Sequence, residues 1–343
     1  MSKNLHPYQR TMIGVVGAGP AGCFFLACLP PERLSQVMVF ERACIGGDLC
    51  RLYAEVVANL TRAEMCRAFR NVPQWSQVPL TVLDAYAEDA CPRLADVCLQ
   101  LRILMKPILA QVKLYAEDVL EVRQSVGGWV LKTAHGSHEV QQVVLCTGAD
   151  PRVLHYPKPH IPLEMALSPT LLATYLRGGE KVVVFGTSHS GTLVLRNLRQ
   201  IGCRTTAVHR SETPFRWARN HDPEGLKQES AVIADEIVGR AWGPETPTLL
   251  PVSSSVELVR AVMEADYVIY AVGFDGRRPR LMGLNGIDVG NNYSPETALI
   301  APGMWGFGIA YPAMYEMPRG GQAPDIGFQG FVSHILKCIP AVL

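Results

Sequence analysis

One pattern occurs twice in this chain, and it leaves few folds open. Residues 12 to 22 read MIGVVGAGPAG: a short apolar strand, then Gly17-x-Gly19-x-x-Gly22, then the helix-compatible run CFFLACL. Residues 181 to 191 read KVVVFGTSHSG: again a strand, then Gly186-x-Ser188-x-x-Gly191, then TLVLRNLRQIG with its apolar residues at helical spacing. Each unit closes on an apolar strand and a small-residue turn, VVLCTGADPR at 143 to 152 and YVIYAVGFDGR at 267 to 277. Gly17 and Gly148 are 131 residues apart, Gly186 and Gly273 only 87, so the first unit carries an insertion, expected around residues 46 to 105.

Each unit has the physics of dinucleotide binding. The first glycine permits a tight strand-to-helix turn, the second lets a pyrophosphate approach the backbone, and the third lets the helix pack closely. The fold class expected is therefore α/β: two Rossmann-like, doubly wound dinucleotide-binding domains, the second inserted in the first. In the first loop Gly17, Gly19, Pro20, Ala21 and Gly22 face the phosphates. In the second, Gly186, Ser188, His189, Ser190 and Gly191 do so, and Ser188 in the middle position narrows the approach. The strand QVMVFER ends at Glu41, 24 residues after Gly17, where a carboxylate accepts hydrogen bonds from an adenosine ribose. The second unit has His209 and Arg210 there instead. Arg210 and nearby Arg216 suit a 2′-phosphate that a carboxylate would repel, which favours NADP over NAD.

KLYAEDVLEVRQ, WVLKTA and HEVQQVV alternate like a small antiparallel β-meander, and helical periodicity covers 51 to 70 and 89 to 106. The Pro-rich stretch 151 to 169 reads as a linker, and a second crossing falls near GFDGRRPR at 273 to 280. The expected domains are 1–155 with 275–343, and 156–274.

Composition narrows the function classes. A formal net charge of +1 gives no electrostatic case for nucleic acid or an acidic membrane. Charged residues are 18% of the chain, below the usual ~25%, so much of it lies against something apolar: core, membrane, a partner subunit or a large cofactor. Thr11 to Pro31 carries no charge, but Gly14, Gly17, Gly19, Pro20 and Gly22 break it, which argues against a signal peptide or a membrane span. Ten cysteines contain no C-x-x-C pair, and reduced thiols in a cytoplasmic protein are expected. His and Cys ligands do not gather, so no metal site is expected.

These motifs, with the strand-end pair Glu41-Arg42 and the turn Gly46-Gly47, resemble in their order the two-dinucleotide-binding-domain flavoproteins, thioredoxin-reductase-like and flavin-monooxygenase-like. The resemblance spans almost the whole chain. It implies FAD on the first loop, with Glu41, Arg42, Gly47, Asp48, Thr147 and Gly148 nearby and Gly308 and Ile309 at its far end. It implies NADPH on the second loop, near His209, Arg210, Arg216 and Gly273. The departures are informative. After Gly46-Gly47 there is only Cys50, with Glu55 where a second redox cysteine falls in relatives, so Cys50 is the one catalytic candidate. Ile309 stands where relatives carry a ribityl-binding Asp. The segment 325 to 337 resembles the closing helix whose amino end faces the flavin.

The function implied is an NADPH-dependent FAD oxidoreductase passing hydride to flavin and on to oxygen or a small organic acceptor. An N- or S-hydroxylating monooxygenase is the alternative enzyme, and a non-catalytic FAD/NADP redox sensor the alternative of another class. A homodimer is the assembly considered. Asp48, Arg51, Tyr53, Asn59 and Arg62, with Trp75 as a wall, are the expected substrate approach.

Overall fold

The computed structural model describes residues 12–216, 225–288, 292–317 and 320–343. From the amino end come β1 (Ile13–Val16), α1 (Pro20–Cys28), β2 (Val37–Phe40), α2 (Gly47–Leu52), α3 (Arg62–Arg70), α4 (Leu94–Leu109) and β3 (Lys113–Tyr115). Next are β4 (Glu121–Ser125), β5 (Gly128–Lys132), β6 (Ser137–Val140), β7 (Gln142–Leu145) and β8 (Ala149–Pro151). A second stretch runs α5 (Leu163–Leu167), α6 (Pro169–Tyr175), β9 (Lys181–Phe185), α7 (His189–Ile201), β10 (Arg204–His209), α8 (Gln228–Val238), β11 (Thr248–Pro251), α9 (Ser255–Glu264) and β12 (Tyr267–Tyr270). The chain ends with β13 (Phe274–Gly276), β14 (Arg280–Met282), β15 (Leu299–Ala301), β16 (Met304–Gly306), β17 (Ala313–Glu316), β18 (Gln322–Asp325) and α10 (Phe328–Val342).

Two parallel sheets organise these elements. The first has the order β15-β16-β7-β1-β2-β3, parallel except at its β15 edge. The second, β11-β10-β9-β12, is parallel throughout. The apolar runs IGVV, VMVF and KVVVF fit strands covered on both faces, and β1 is buried at every position. Between the sheets the chain crosses twice, on β8 and β13, which pair antiparallel from Ala149↔Gly276 to Pro151↔Phe274. After the second crossing β16 joins β7 in the first sheet, and α10 packs on α1.

α1 explains the uncharged stretch near the amino end. Pro20 starts the helix at a position whose amide needs no partner, and the eight residues from Ala21 to Cys28 are all buried. Phe24 lies among Phe69, Trp75 and Phe328, so α1 is walled by α3, the turn after it and α10. No helix among the described residues is long and apolar enough to cross a membrane.

Two local expectations are corrected. The helical reading of 51 to 70 holds only for the end of α2 and for α3. Residues 53 to 61 are irregular, and Thr61 starts α3 with a capping box against Glu64. KLY joins the main sheet as β3 beside β2 instead of opening the meander, which is β4-β5-β6 with β14 parallel to β4.

Candidate functional site

The two glycine loops have the same stereochemistry. Gly17 has φ +96°, and a Cβ there would lie 2.3 Å from the carbonyl oxygen of Cys146, just past β7. Gly186 has φ +101°, and its Cβ would lie 2.2 Å from the carbonyl of Ala271, just past β12. A Cβ on Gly22 would meet the Gly17 oxygen at 2.1 Å, and one on Gly191 the Gly186 oxygen at the same distance. The first and third glycines of each loop are thus required by the backbone itself. The middle position is different: a Cβ on Gly19 would find no atom within 4 Å, and Ser188 is exposed. That open face lies at the N-cap of α1 in one loop and of α7 in the other, the place where backbone amides receive a pyrophosphate.

Around the first loop the polar groups converge. Glu41, at the end of β2, accepts from the Ala18 amide at 2.7 Å and from the Ala43 amide at 2.8 Å. The Gly46 amide donates to the Ala18 carbonyl at 2.8 Å, and Gly47 stacks on Gly19 so closely that a Cβ would sit 2.9 Å from its Cα. Asp48 then meets three guanidinium groups: Arg51 at 2.7 Å, Arg277 at 3.1 Å and Arg42 at 3.4 Å. Burial alone would raise the Asp48 carboxyl, but Arg51 and Arg277 outweigh it and hold it below the ordinary carboxylate value.

Arg277, immediately after β13, is the residue that sequence reasoning missed. Besides Asp48 it binds Asp150, and it donates to the Thr147 carbonyl at 3.1 Å, while the Thr147 hydroxyl donates back to the Arg277 carbonyl. Gly148 turns the chain at φ +73°, and this guanidinium packs beside it, in ordinary contact at 3.6 Å from where a Cβ would be. One side chain therefore ties the Gly46-Gly47 turn to both chain crossings. The signal was present in the motif GFDGR and in two acidic residues, Asp48 and Asp150, that lacked a partner in the sequence reading.

At the second loop, His189 is the first residue of α7 and is half-buried. Its Nε2 hydrogen-bonds the Val57 carbonyl at 3.0 Å, and its Nδ1 has no partner. Ser190 beside it is half-buried. The irregular stretch 53 to 61 and the start of α3 reach this side of the molecule at three more points: Tyr53 against Phe274, Glu55 on Ser168 and Thr170, and Glu64 on Lys227. Glu55 thus anchors α6 instead of standing near a reactive sulfur. His209 is buried with Nδ1 bonded to the Ser211 carbonyl at 2.9 Å, so it shapes the strand end, while Arg210 is exposed and Arg216 half-buried. Gly273 turns the chain out of β12 at φ +96°.

Burial holds the His189 imidazole below its ordinary value, against the opposing pull of the Val57 carbonyl, and burial does the same to His334. A histidine kept neutral in the folded state but free to protonate when unfolded weakens the fold as pH falls through the unfolded value of about 6.5. Urea midpoints should therefore drop between pH 7.5 and 5.5. His189→Gln should flatten that slope, and an unchanged slope would remove His189 from the account.

Gly308, at φ +83°, packs against Ala21 of α1, where its own Cβ would fall 2.6 Å from that side chain, and Ile309 is half-buried against the core. Asp325 supplies a carboxylate that the sequence reading did not use. It lies over Gly330 in the first turn of α10, so the amino end of that helix already faces a carboxylate, one whose burial raises it above its ordinary value.

Two expectations about side chains fail here. Cys50 is not alone: it is joined to Cys98 on α4 by a disulfide. Closing a loop with a separation of 48 residues contributes on the order of 4 kcal/mol by chain entropy. The pairing was invisible because α4 swings back over the Gly46-Gly47 turn through an insertion with no cysteine spacing to announce it. The proposed substrate approach also disperses. Asp48, Arg51 and Tyr53 stay near Arg277, but Arg62 pairs with Asp84 and Trp75 is buried in the core. Burial pushes the thiols of Cys23, Cys28 and Cys203 up to about 12, which removes them as nucleophiles at neutral pH.

No protein-family model matches the chain. Among solved structures, the bacillithiol disulfide reductase of Staphylococcus aureus superposes with a TM-score of 0.65 at 16% identity, over 97% of this chain and 98% of that one. The thioredoxin reductase of Lactococcus lactis does so with a TM-score of 0.57 at 13% identity, over 97% and 98%. This is the thioredoxin-reductase-like fold. The match runs over nearly the whole length of both chains. Monooxygenase AgnR1 of Paecilomyces divaricatus is 25% identical to the chain, over 97% of it and 98% of that protein.

Proposed function

We propose that this chain is an NADPH-dependent, FAD-containing oxidoreductase whose final acceptor is oxygen or a small organic molecule. The observation that carries the reading is the pair of matched loops: in each, the outer glycines are locked against backbone and the middle position is open at a helix start. The residues present fit a flavin dinucleotide at the first loop. Gly19 offers the open cradle, the α1 amino end receives the pyrophosphate, and Glu41 stands beside the ribose position. Once bound, the flavin supplies hydride acceptance from the nicotinamide. The protein's part is to hold and orient. Asp48, Arg42 and Arg277 fix the turn over the first loop, and Arg210 with Arg216 meets the 2′-phosphate of NADPH near the second. In this reading residues 1–155 and 275–343 form the FAD domain and 156–274 the NADPH domain, consistent with the paired crossings at β8 and β13.

The similarity to monooxygenase AgnR1 favours a second reading, in which the reduced flavin hydroxylates an organic substrate with oxygen. Purified protein should be yellow and should bleach anaerobically with NADPH faster than with NADH. Arg210→Glu should reverse that preference by tenfold or more, since it replaces an attractive charge with a repulsive one at the phosphate. Colourless protein that cannot be reconstituted with FAD would sink the proposal. NADPH consumption in air only when an organic substrate is added would select the monooxygenase.

A further inference from the structure

The disulfide has a companion. Cys98 and Arg102 lie one turn apart on α4 and both face the 44–50 turn: Cys98 is bonded to Cys50, while Arg102 donates to the Ile45 carbonyl at 3.3 Å and lies 3.8 Å from the Cys44 sulfur. Cys44 is a free thiol whose sulfur lies 3.7 Å from the Gly47 carbonyl. Gly46 sits between the sulfurs in sequence and is pressed against Cys50, whose Sγ would be 2.0 Å from a Cβ there. Three sulfurs thus belong to one small turn and the helix that covers it. Cys50 and Cys98 are buried, and Cys44 is the one of the three that is partly open to solvent.

We propose that Cys44, Cys50 and Cys98 form a thiol–disulfide exchange site that a low-molecular-weight thiol opens through Cys44, releasing the Gly46-Gly47 turn from α4. The Cys44 thiolate attacks the Cys50 sulfur, so that a Cys44–Cys50 bond forms, the Cys50–Cys98 bond breaks and Cys98 leaves as a thiolate that takes up the proton. An external thiol then attacks Cys44 and frees Cys50. A second external thiol releases Cys44 and leaves as the small disulfide. Two external thiols are oxidised by two electrons in all, and Cys50 and Cys98 are reduced. The electrons come from the external thiol and not from the flavin, so the exchange stands whatever the first loop binds. Its consequence is mechanical. α2 has six residues, too few to be stable alone, and the Gly47 that begins it rests on Gly19 of the first loop.

The test uses the full chain purified in air. Non-reducing peptide mapping after alkylation should recover a Cys50–Cys98 linked peptide with Cys44 alkylated. Glutathione should open the pair, and Cys44→Ser should slow opening at least tenfold. Wild-type protein alkylated at Cys44 must slow equally, which separates exchange from any folding defect of the variant. Amide hydrogen exchange across residues 44–52 should rise on opening. Recovery of Cys50 and Cys98 as free thiols without reductant would overturn the proposal. So would opening at the wild-type rate once Cys44 is removed, or exchange across 44–52 that does not respond to opening.

Discussion

Gly22→Ala should cost the ligand-free chain about 3 kcal/mol or more, at the severe end of overpacking, while Gly19→Val should leave its stability within about 0.5 kcal/mol. The two glycines are three residues apart in one loop, and composition gives no reason to separate them. Geometry does. A methyl on Gly22 would sit 2.1 Å from the Gly17 carbonyl oxygen, so the backbone of the loop or of α1 must move, and α1 is buried from Ala21 to its end. A Cβ on Gly19 would have no atom within 4 Å and needs no unusual φ, because the residue is already extended at φ −64°. Its cost falls on the ligand: the added isopropyl group would stand where a pyrophosphate approaches, and flavin retention should be lost. Urea melts of flavin-free protein and flavin absorbance after gel filtration measure the two effects separately. Gly191→Ala should repeat the Gly22 result in the second loop, where the same 2.1 Å contact recurs. Equal stabilities for Gly19→Val and Gly22→Ala would mean that the loops are not built as described.

What was legible in the sequence is what is local. A strand that ends in glycine, a helix that starts on proline and a strand ending in Glu41 are each decided within a few residues, and their spacing places them at the head of a parallel sheet. The meander and the return of the chain after residue 274 follow from the same punctuation. What escaped depends on distant partners. Cys98 meets Cys50 only because α4 folds back over the turn, and Arg277 reaches Asp48 across 229 positions. The Val57 carbonyl reaches His189 from 132 positions away, a contact that no local pattern announces. Trp75 is expected at a binding wall, yet Phe24 and Phe69 claim it for the core. Helical periodicity misled at 53 to 61 because the segment hands over from one core to the other: Tyr53 and Val56 pack with the second sheet's core, Ala58 and Leu60 with the first.

Glu41→Ala should destabilise the flavin-free chain by about 2–4 kcal/mol, the cost of leaving amides without charged acceptors, besides weakening flavin retention. From sequence this carboxylate is a ribose ligand, and a residue with that role alone would leave the empty protein as stable as before. Both of its oxygens are already in use: one takes the Ala18 amide inside the phosphate loop and the other the Ala43 amide in the turn that follows β2. The side chain is buried, so water does not replace it readily when it is removed. Glu41 therefore fixes the distance between the loop and the Gly46-Gly47 turn before any ligand arrives. A ribose binds to a carboxylate already oriented by the backbone it braces. Glu41→Gln sharpens the test, because the amide keeps one acceptor and turns the other into a donor facing an N–H, so about half the loss should remain. A flavin-free Glu41→Ala protein that melts with the wild type would return Glu41 to the ribose alone.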